Sequence, residues 1–97
     1  MNKKIKKEWI KALTSGEYTQ TRETLVADNN KSMCCLGVLC HIQGFTVKAM
    51  KGHVMPSDVA KSACGGLRKK SMSKLVNMND DQEMSFKQIA KHIQKHY

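Results

Sequence analysis

Cysteine and histidine, the side chains that most often bind transition metals, are concentrated in one short segment of the chain. Cys34, Cys35, Cys40 and His41 lie within eight residues of one another. Together with His53 and Cys64, they supply enough nitrogen and sulfur ligands for a tetrahedral zinc site. However, the ligands of structural zinc sites usually come in pairs two to four residues apart in a loop, whereas the first four lie on one apolar segment that we expect to be helical. We therefore predict no metal and no cofactor.

A cysteine nucleophile needs a thiolate that is stabilised by a neighbouring base or a helix N-terminus. Cys34 and Cys35 lie near the predicted start of a helix, and His41 or His53 could approach one of them in the fold. Burial in an apolar helix raises the pKa of a thiol, and no other residues complete a catalytic triad. We predict that the protein is not an enzyme and has no catalytic residues.

Two further groups of side chains have the composition of metal or acid–base sites. His92 and His96 are four residues apart on the last predicted helix, a spacing that can chelate one ion, but no glutamate accompanies them as in H-E-x-x-H. Asp80, Asp81 and Glu83 form an acidic cluster just before a helix, where turns and the helix dipole favour such residues. We interpret the histidines as solvated and the acids as structural.

Positive charge is the strongest signal in the composition. Seventeen Lys and Arg against eight Asp and Glu give a formal net charge of +9, and residues 32–70 contain a single acid, Asp58. A field of this sign favours polyanions such as nucleic acid, phosphate-bearing metabolites or an acidic protein surface. We predict an anion-binding site formed by residues of a hairpin and of the segment after Gly65-Gly66, namely Lys48, Lys51, His53, Arg68, Lys69 and Lys70.

The ligand of such a site stays open at this point. The sequence has no helix-turn-helix, no glycine-rich phosphate loop and no ladder of aromatic residues, so we expect no sequence-specific readout. Three functions remain: a binder of a nucleotide or nucleic acid, an inhibitor that docks its basic face on an acidic enzyme, and, least supported, an enzyme acting on nucleotides. A chain of this length has a small core, so a homo-oligomer that completes a pocket is also an open interpretation.

Three predicted helices provide the framework that positions these residues. Residues 2–14 repeat apolar positions at helical spacing, residues 33–42 are almost wholly apolar, and Ser85 and Gln88 form a capping-box pattern before an amphipathic segment. The apolar run of residues 33–42 must be covered on all sides, and it is too short for a bilayer, which needs about 20 residues. We predict a buried central helix, which Ser32 would cap, and no membrane partner.

The remaining segments predict a little β-structure. We expect a strand near Leu25-Val26, a hairpin over residues 45–55, and short helices over residues 57–64 and 73–78. The Lys-rich start of the chain leads into an amphipathic helix and not into an apolar leader, so we expect reduced cysteines and a cytoplasmic location. The predicted fold is therefore a single α+β domain over residues 1–97.

Several motifs give the chain a resemblance to a group of small proteins of unassigned function from tailed phages and prophages. The pattern W-x-x-A-L-x-S-G-x-Y-x-Q begins at Trp9, C-C-L-G-V-L-C covers residues 34–40, and N-D followed by S-F-x-x-I-A begins at Asn79. Met55 stands where the group usually has Leu in L-P-x-x-V. The resemblance implies a phage origin and a bacterial host, and it transfers no catalytic residues. Combined with the charge, it leads to our hypothesis of an accessory protein that binds an anionic partner and antagonises a host process such as antiviral defence.

Overall fold

The computed structural model describes all 97 residues, which are arranged as helices joined by loops. Four helices of eight or more residues form the framework, and three single-turn helices lie between the second and third of them. The elements in chain order are α1 (Lys3–Thr14), α2 (Cys35–Ile42), α3 (Val47–Met50), α4 (Pro56–Val59), a 3₁₀-helix (Lys61–Cys64), α5 (Lys69–Asp80) and α6 (Phe86–His96). None of these helices is long and apolar enough to cross a membrane.

Helix α2 is the centre of the molecule. Its residues from Cys35 to Cys40 are buried, α1 and α5 pack against it, and the three short helices cover its remaining sides. The prediction of a buried central helix is therefore confirmed. Its N-cap is Cys34, whose sulfur accepts the Gly37 N–H at 3.4 Å. The prediction of a Ser32 cap was wrong, because the Ser32 hydroxyl instead accepts a hydrogen bond from the Asn29 amide at 3.0 Å.

Helices α1 and α6 form one antiparallel pair. Lys6, near the start of α1, donates a hydrogen bond to the backbone oxygen of Gln94, near the end of α6. Trp9 anchors α1 in the core, where it is fully buried and its indole N–H donates to the Cys35 oxygen at 2.9 Å. The predicted capping box of α6 is confirmed.

The segment between α1 and α2 is held closely against α2. The Leu25 N–H donates to the His53 oxygen at 2.8 Å, and the Leu25 oxygen accepts the Cys34 N–H at 3.2 Å. The Leu25 oxygen comes so near Gly37 that a Cβ at Gly37 would lie 2.0 Å from it. Glycine is therefore the only residue that permits this approach.

The predicted α+β class and its hairpin were wrong. Thr46 begins a helical turn, since its side chain accepts the Ala49 N–H at 3.1 Å and so caps α3. A β-branched threonine favours strands, but its hydroxyl also favours the N-cap position, and here the cap prevails. Val26 pairs with Met33 only as an isolated bridge, so the segment near Leu25 is extended without belonging to a sheet.

Helix α5 is longer than predicted, and the short helix before it is divided. The prediction placed a helical turn at residues 73–78, but α5 begins at Lys69 and buries one face through Met72, Leu75 and Met78. The basic cluster that follows the paired glycines is thus the first turn of a helix. The helix predicted over residues 57–64 is interrupted at Ala60, which is extended with φ −167°.

Candidate functional site

A groove runs along the contact between α1 and α6. It consists of two adjoining clefts, about 450 and 280 Å³ in volume, which share Ile10 and Gln94. We call this surface the lysine groove. Its lining residues are Lys3, Lys6, Lys7, Ile10, Thr14, Lys87, Gln88, Ala90, Lys91 and Gln94.

The lysine groove lies on the most positively charged part of the molecule. Helix α1 carries five lysines and one glutamate, and α6 carries three lysines and no acid, so these two helices account for +7 of the net charge of +9. The one glutamate, Glu8, lines a different cleft, together with Lys11, Ala12 and Tyr18. The groove itself therefore has five lysines and no carboxylate.

Most of these ammonium groups are available to a ligand. Lys6 and Lys51 are the lysines whose side chains donate hydrogen bonds to protein oxygen atoms. Lys6 binds the Gln94 oxygen at 3.2 Å, and a cation there also suits the negative end of the α6 dipole. The other four lysines of the groove make no hydrogen bond to the protein, and all of them are exposed on the two packed helices: Lys3, Lys7, Lys87 and Lys91.

The six residues predicted to bind an anion are divided between two places. Lys48 lies in α3 and Lys51 follows it, with its ammonium group bound to Asn30 Oδ1 at 2.9 Å. His53 comes next, and its backbone oxygen holds the Leu25 N–H. Helix α3 packs on α2 and α4, away from α5.

The other three predicted residues begin α5. Arg68 is its N-cap residue, and no side chain caps this helix end. Arg68 lines a cavity of about 290 Å³ together with Gly66, Ser71 and His96. No cleft or hydrogen bond joins Arg68, Lys69 and Lys70 to the basic residues of α3, so the predicted site consists of two separate groups. Anion binding by either group stays a prediction.

Sequence reasoning missed the lysine groove. The anion-binding site predicted from the sequence contains no residue of α1 or α6. The available signal was that Lys6 and Lys91 each stand beside an apolar residue of an amphipathic helix, Ile10 and Ala90 respectively. What the sequence did not supply was that these two helices pack against each other.

A separate cleft, formed by the segment between α1 and α2 together with α2 and α3, lies beside a hydrogen-bonded tyrosine and histidine. Its volume is about 460 Å³. Tyr18 Oη and His41 Nδ1 are 2.7 Å apart, and the two rings meet edge to face with their centroids 5.6 Å apart. Burial, assisted by the charge of Glu17, raises the pKa of Tyr18 above its ordinary value. The lining residues are Glu17, Tyr18, Thr19, Asn30, Lys31, Met33, His41 and Val47.

The cysteines are reduced and buried. Burial raises the pKa of Cys34 to about 11 and that of Cys40 to about 12, and the pKa of Cys35 is raised well above its ordinary value for the same reason. A thiol with so high a pKa is a poor nucleophile at neutral pH. Nowhere in the chain do three side chains of His, Cys, Asp or Glu come together in a group that could hold a metal ion.

The aspartates of the acidic cluster form hydrogen bonds with side chains close to them in the sequence. Asp80 accepts a hydrogen bond from the Asn79 amide at 2.8 Å, and Asp81 accepts one from the Asn77 amide at 3.0 Å. This geometry gives the acids the structural role expected of residues at a helix end.

The two histidines of α6 contact each other. The ring centroids of His92 and His96 are 4.4 Å apart, and His92 Nε2 is shielded from solvent without a hydrogen-bond partner. Burial, together with the charges of His96 and Lys74, lowers the pKa of His92. His96 is exposed, as predicted from the sequence, whereas the prediction of a solvated His92 was wrong, because its Nε2 is shielded from solvent.

Comparison with known proteins gives one family. A model described as a domain of unknown function (DUF8296) matches residues 1–51, which is slightly more than half of the chain and includes α1, α2 and α3. No curated protein and no solved structure matches the chain.

Proposed function

Since the chain belongs to the DUF8296 family, whose description assigns no activity, we propose a function from its geometry: it is a non-enzymatic accessory protein that binds the phosphate backbone of nucleic acid along the lysine groove. One observation carries this proposal. Five lysines from two packed helices line a continuous groove that contains no carboxylate.

The dimensions of the groove suit a phosphate backbone. Helices of 11 and 12 residues are about 16–18 Å long, since the rise is about 1.5 Å per residue. Along that length one strand of duplex DNA presents about five phosphates, at about 3.4 Å per phosphate. The number of lysines is therefore similar to the number of phosphates that they would neutralise.

The lining of the groove favours contact with the backbone over reading of the bases. None of the residues that line it is aromatic, so no ring is available for base stacking. Lysine is a flexible point charge that neutralises a phosphate without fixing its geometry, and phosphate contacts carry no sequence information directly. Binding along this groove should therefore depend on salt and be indifferent to sequence.

The biological role that we propose is antagonism of a host process such as antiviral defence. Its support is the resemblance of the motifs at Trp9, Cys34 and Asn79 to those of small phage and prophage proteins. A protein that covers the backbone of nucleic acid could withhold it from a host enzyme without any chemical step. This role accords with cysteines whose thiols stay protonated and with acids that are engaged in local hydrogen bonds.

The experiment that tests the proposal measures binding to a fluorescent DNA duplex by anisotropy over a range of salt concentrations. The affinity should fall linearly in a log–log plot, with a slope of up to about −4.5 if five phosphates are neutralised. The double variant Lys7→Gln/Lys91→Gln should bind more weakly, with a slope smaller by about 1.8. A random-sequence duplex should bind as well as any chosen sequence.

The control removes the same charge from the same helices outside the groove. Lys4 and Lys95 are exposed residues of α1 and α6 that do not line it. The double variant Lys4→Gln/Lys95→Gln should keep most of the salt slope. Equal losses in the two double variants would show that only the net charge matters and would reject the groove as a site.

The alternative function, docking on an acidic protein, would use the same lysines. Poly-glutamate, added as a competitor at the same concentration of charge as the duplex, separates the two. Weak competition supports the nucleic-acid proposal, and competition equal to that of unlabelled duplex favours an acidic protein as the partner.

A further inference from the structure

We infer that the cleft beside Tyr18 and His41 binds a small ligand that combines a phosphate group with a flat ring, as a mononucleotide does. This second site lies apart from the lysine groove and shares no lining residue with it. The inference therefore does not depend on the proposed function.

The cleft has the size and the walls of a small-molecule site. Its volume of about 460 Å³ falls within the usual range of about 300–1,000 Å³ for such sites. Met33, Val47 and the ring of Tyr18 provide apolar surface. A flat ring can therefore lie against this wall.

The hydrogen bond between Tyr18 and His41 determines what the histidine offers to a ligand. The Tyr18 hydroxyl keeps its proton at neutral pH, because the ordinary pKa of a tyrosine is near 10 and burial raises the pKa of Tyr18 further. When this hydroxyl donates to Nδ1, a neutral imidazole carries its own proton on Nε2. His41, which is exposed, then presents an N–H donor instead of a lone pair. Tyr18 is in this sense a positioning residue for His41.

A rigid loop provides two further donors. Asn30 Oδ1 accepts a hydrogen bond from the Lys51 ammonium at 2.9 Å, and the N–H groups of the same amide make no hydrogen bond to the protein. Lys31 follows, and its side chain makes no hydrogen bond to the protein. The loop is held in place because Asn29 Oδ1 accepts the backbone N–H groups of both Lys31 and Ser32 at 2.9 Å. The backbone that carries both donors is thus held in place, and the Asn30 amide is oriented by its bond to Lys51.

The balance of donors and acceptors selects a phosphate. His41, Asn30, Lys31 and the hydroxyl of Thr19 can all donate, whereas Glu17 is the one carboxylate of the cleft. Glu17 also lines the neighbouring cleft beside Glu8, which places it at the boundary between the two. A phosphate has several strong acceptor oxygens and no need of an acceptor from the protein, so it matches this arrangement. Lys51, one of the residues predicted from sequence, contributes by holding Asn30.

The test is a titration of ¹⁵N-labelled protein with adenosine 5′-monophosphate, followed by amide and histidine-ring chemical shifts. We expect saturable shifts at the cleft residues. Adenosine alone and inorganic phosphate alone should each bind at least about tenfold more weakly, because each lacks one half of the contacts. Lys31 is exposed, and the variant Lys31→Gln, which removes its charge, should weaken binding of the monophosphate about tenfold.

Two variants make the assignment specific. Tyr18→Phe removes the hydroxyl and should change the ¹⁵N shifts of the His41 ring in the free protein towards a mixture of tautomers, and unchanged ring shifts would show that the hydroxyl does not position His41. Lys7→Gln/Lys91→Gln should leave binding of the monophosphate unchanged. Shifts that follow the lysine groove and disappear in that double variant would overturn the inference, as would an absence of shifts at about 10 mM ligand, above the millimolar range of weak specific binding.

Discussion

Gln20 and Asn79 lie 59 residues apart in the sequence and are joined by a hydrogen bond of 2.8 Å, from Gln20 Nε2 to Asn79 Oδ1. The same oxygen accepts the Cys35 N–H at 3.3 Å, and the Asn79 amide donates to the Thr21 oxygen at 2.9 Å. One fully buried side chain thus connects the segment after α1, the start of α2 and the end of α5. Three of the motifs recognised in the sequence meet at this point.

Replacing Asn79 with leucine should strongly destabilise the protein. Leucine has a similar volume, but it would leave the Thr21 oxygen and the Cys35 N–H buried without partners, at a cost of about 1–3 kcal/mol for each such group. We expect the free energy of unfolding, measured with urea, to fall by about 3 kcal/mol. The control is Asn77→Ala on the exposed face of the same helix, which should change it by less than about 1 kcal/mol. Similar losses in both variants would contradict the role given to Asn79.

Replacing Gly37 with alanine should be more damaging than its small size suggests. The new Cβ would lie 2.0 Å from the Leu25 oxygen, so the segment before α2 would have to move away from the helix and break the bond from Cys34 to Leu25. We expect a loss of more than about 3 kcal/mol in urea denaturation.

Gly16→Ala provides the comparison for Gly37→Ala. Gly16 has φ +81° and no atom near its added Cβ, so alanine there meets only backbone strain, about 1–2 kcal/mol. If the two glycine variants lost equal stability, the close approach at Gly37 would not be the determining contact.

Helices α1 and α6 could be predicted because their signals are local. Gly16 lies just after α1, Ser85 and Gln88 cap α6, and apolar residues repeat at helical spacing along both. The prediction of a hairpin was wrong because Thr46 favours both a strand and a helix N-cap. The choice between the two depends on contacts that are distant in sequence. One of those is the bond from Leu25 to His53, across 28 residues.

The candidate sites show the same contrast between features that are local in the sequence and features that depend on packing. The excess of positive charge was evident from composition, but its location depended on the pairing of α1 with α6, which no short motif encodes. Tyr18 and His41 are 23 residues apart, and no motif connects them. Side chains that act together from separate elements are found only when the packing of those elements is known.

Stability should decrease at alkaline pH because of the buried thiols. The pKa of Cys34 is raised from 9.0 to about 11 and that of Cys40 to about 12, so the folded state keeps protons that the unfolded state releases near pH 9. The stabilisation is fully present below pH 9 and is lost as the pH rises through the folded values, with a slope of up to about 1.4 kcal/mol per pH unit for each thiol. Urea denaturation at pH 8, 9 and 10 measures this slope. In Cys34→Ala/Cys40→Ala the slope of the unfolding free energy against pH should be clearly reduced. An unchanged slope would show that other titratable groups cause it.

Stability should also decrease in mild acid, because of His92. Its pKa is lowered from 6.5 by burial first, then by the charges of His96 and Lys74, so the unfolded state binds a proton more readily than the folded state. The stabilisation is therefore present above pH 6.5 and is lost as the pH falls through the lower folded value. The ring of Tyr97 lies edge to face against the His92 ring, with the two centroids 5.5 Å apart.

A titration of the histidine ring protons by NMR should place the His92 pKa below 6.5. The pKa should be higher in Lys74→Gln, because this variant removes one of the opposing charges. Lys61→Gln, an equal loss of charge on the 3₁₀-helix, should leave it in place. If both variants moved it equally, the shift would reflect net charge and not the contact between α5 and α6.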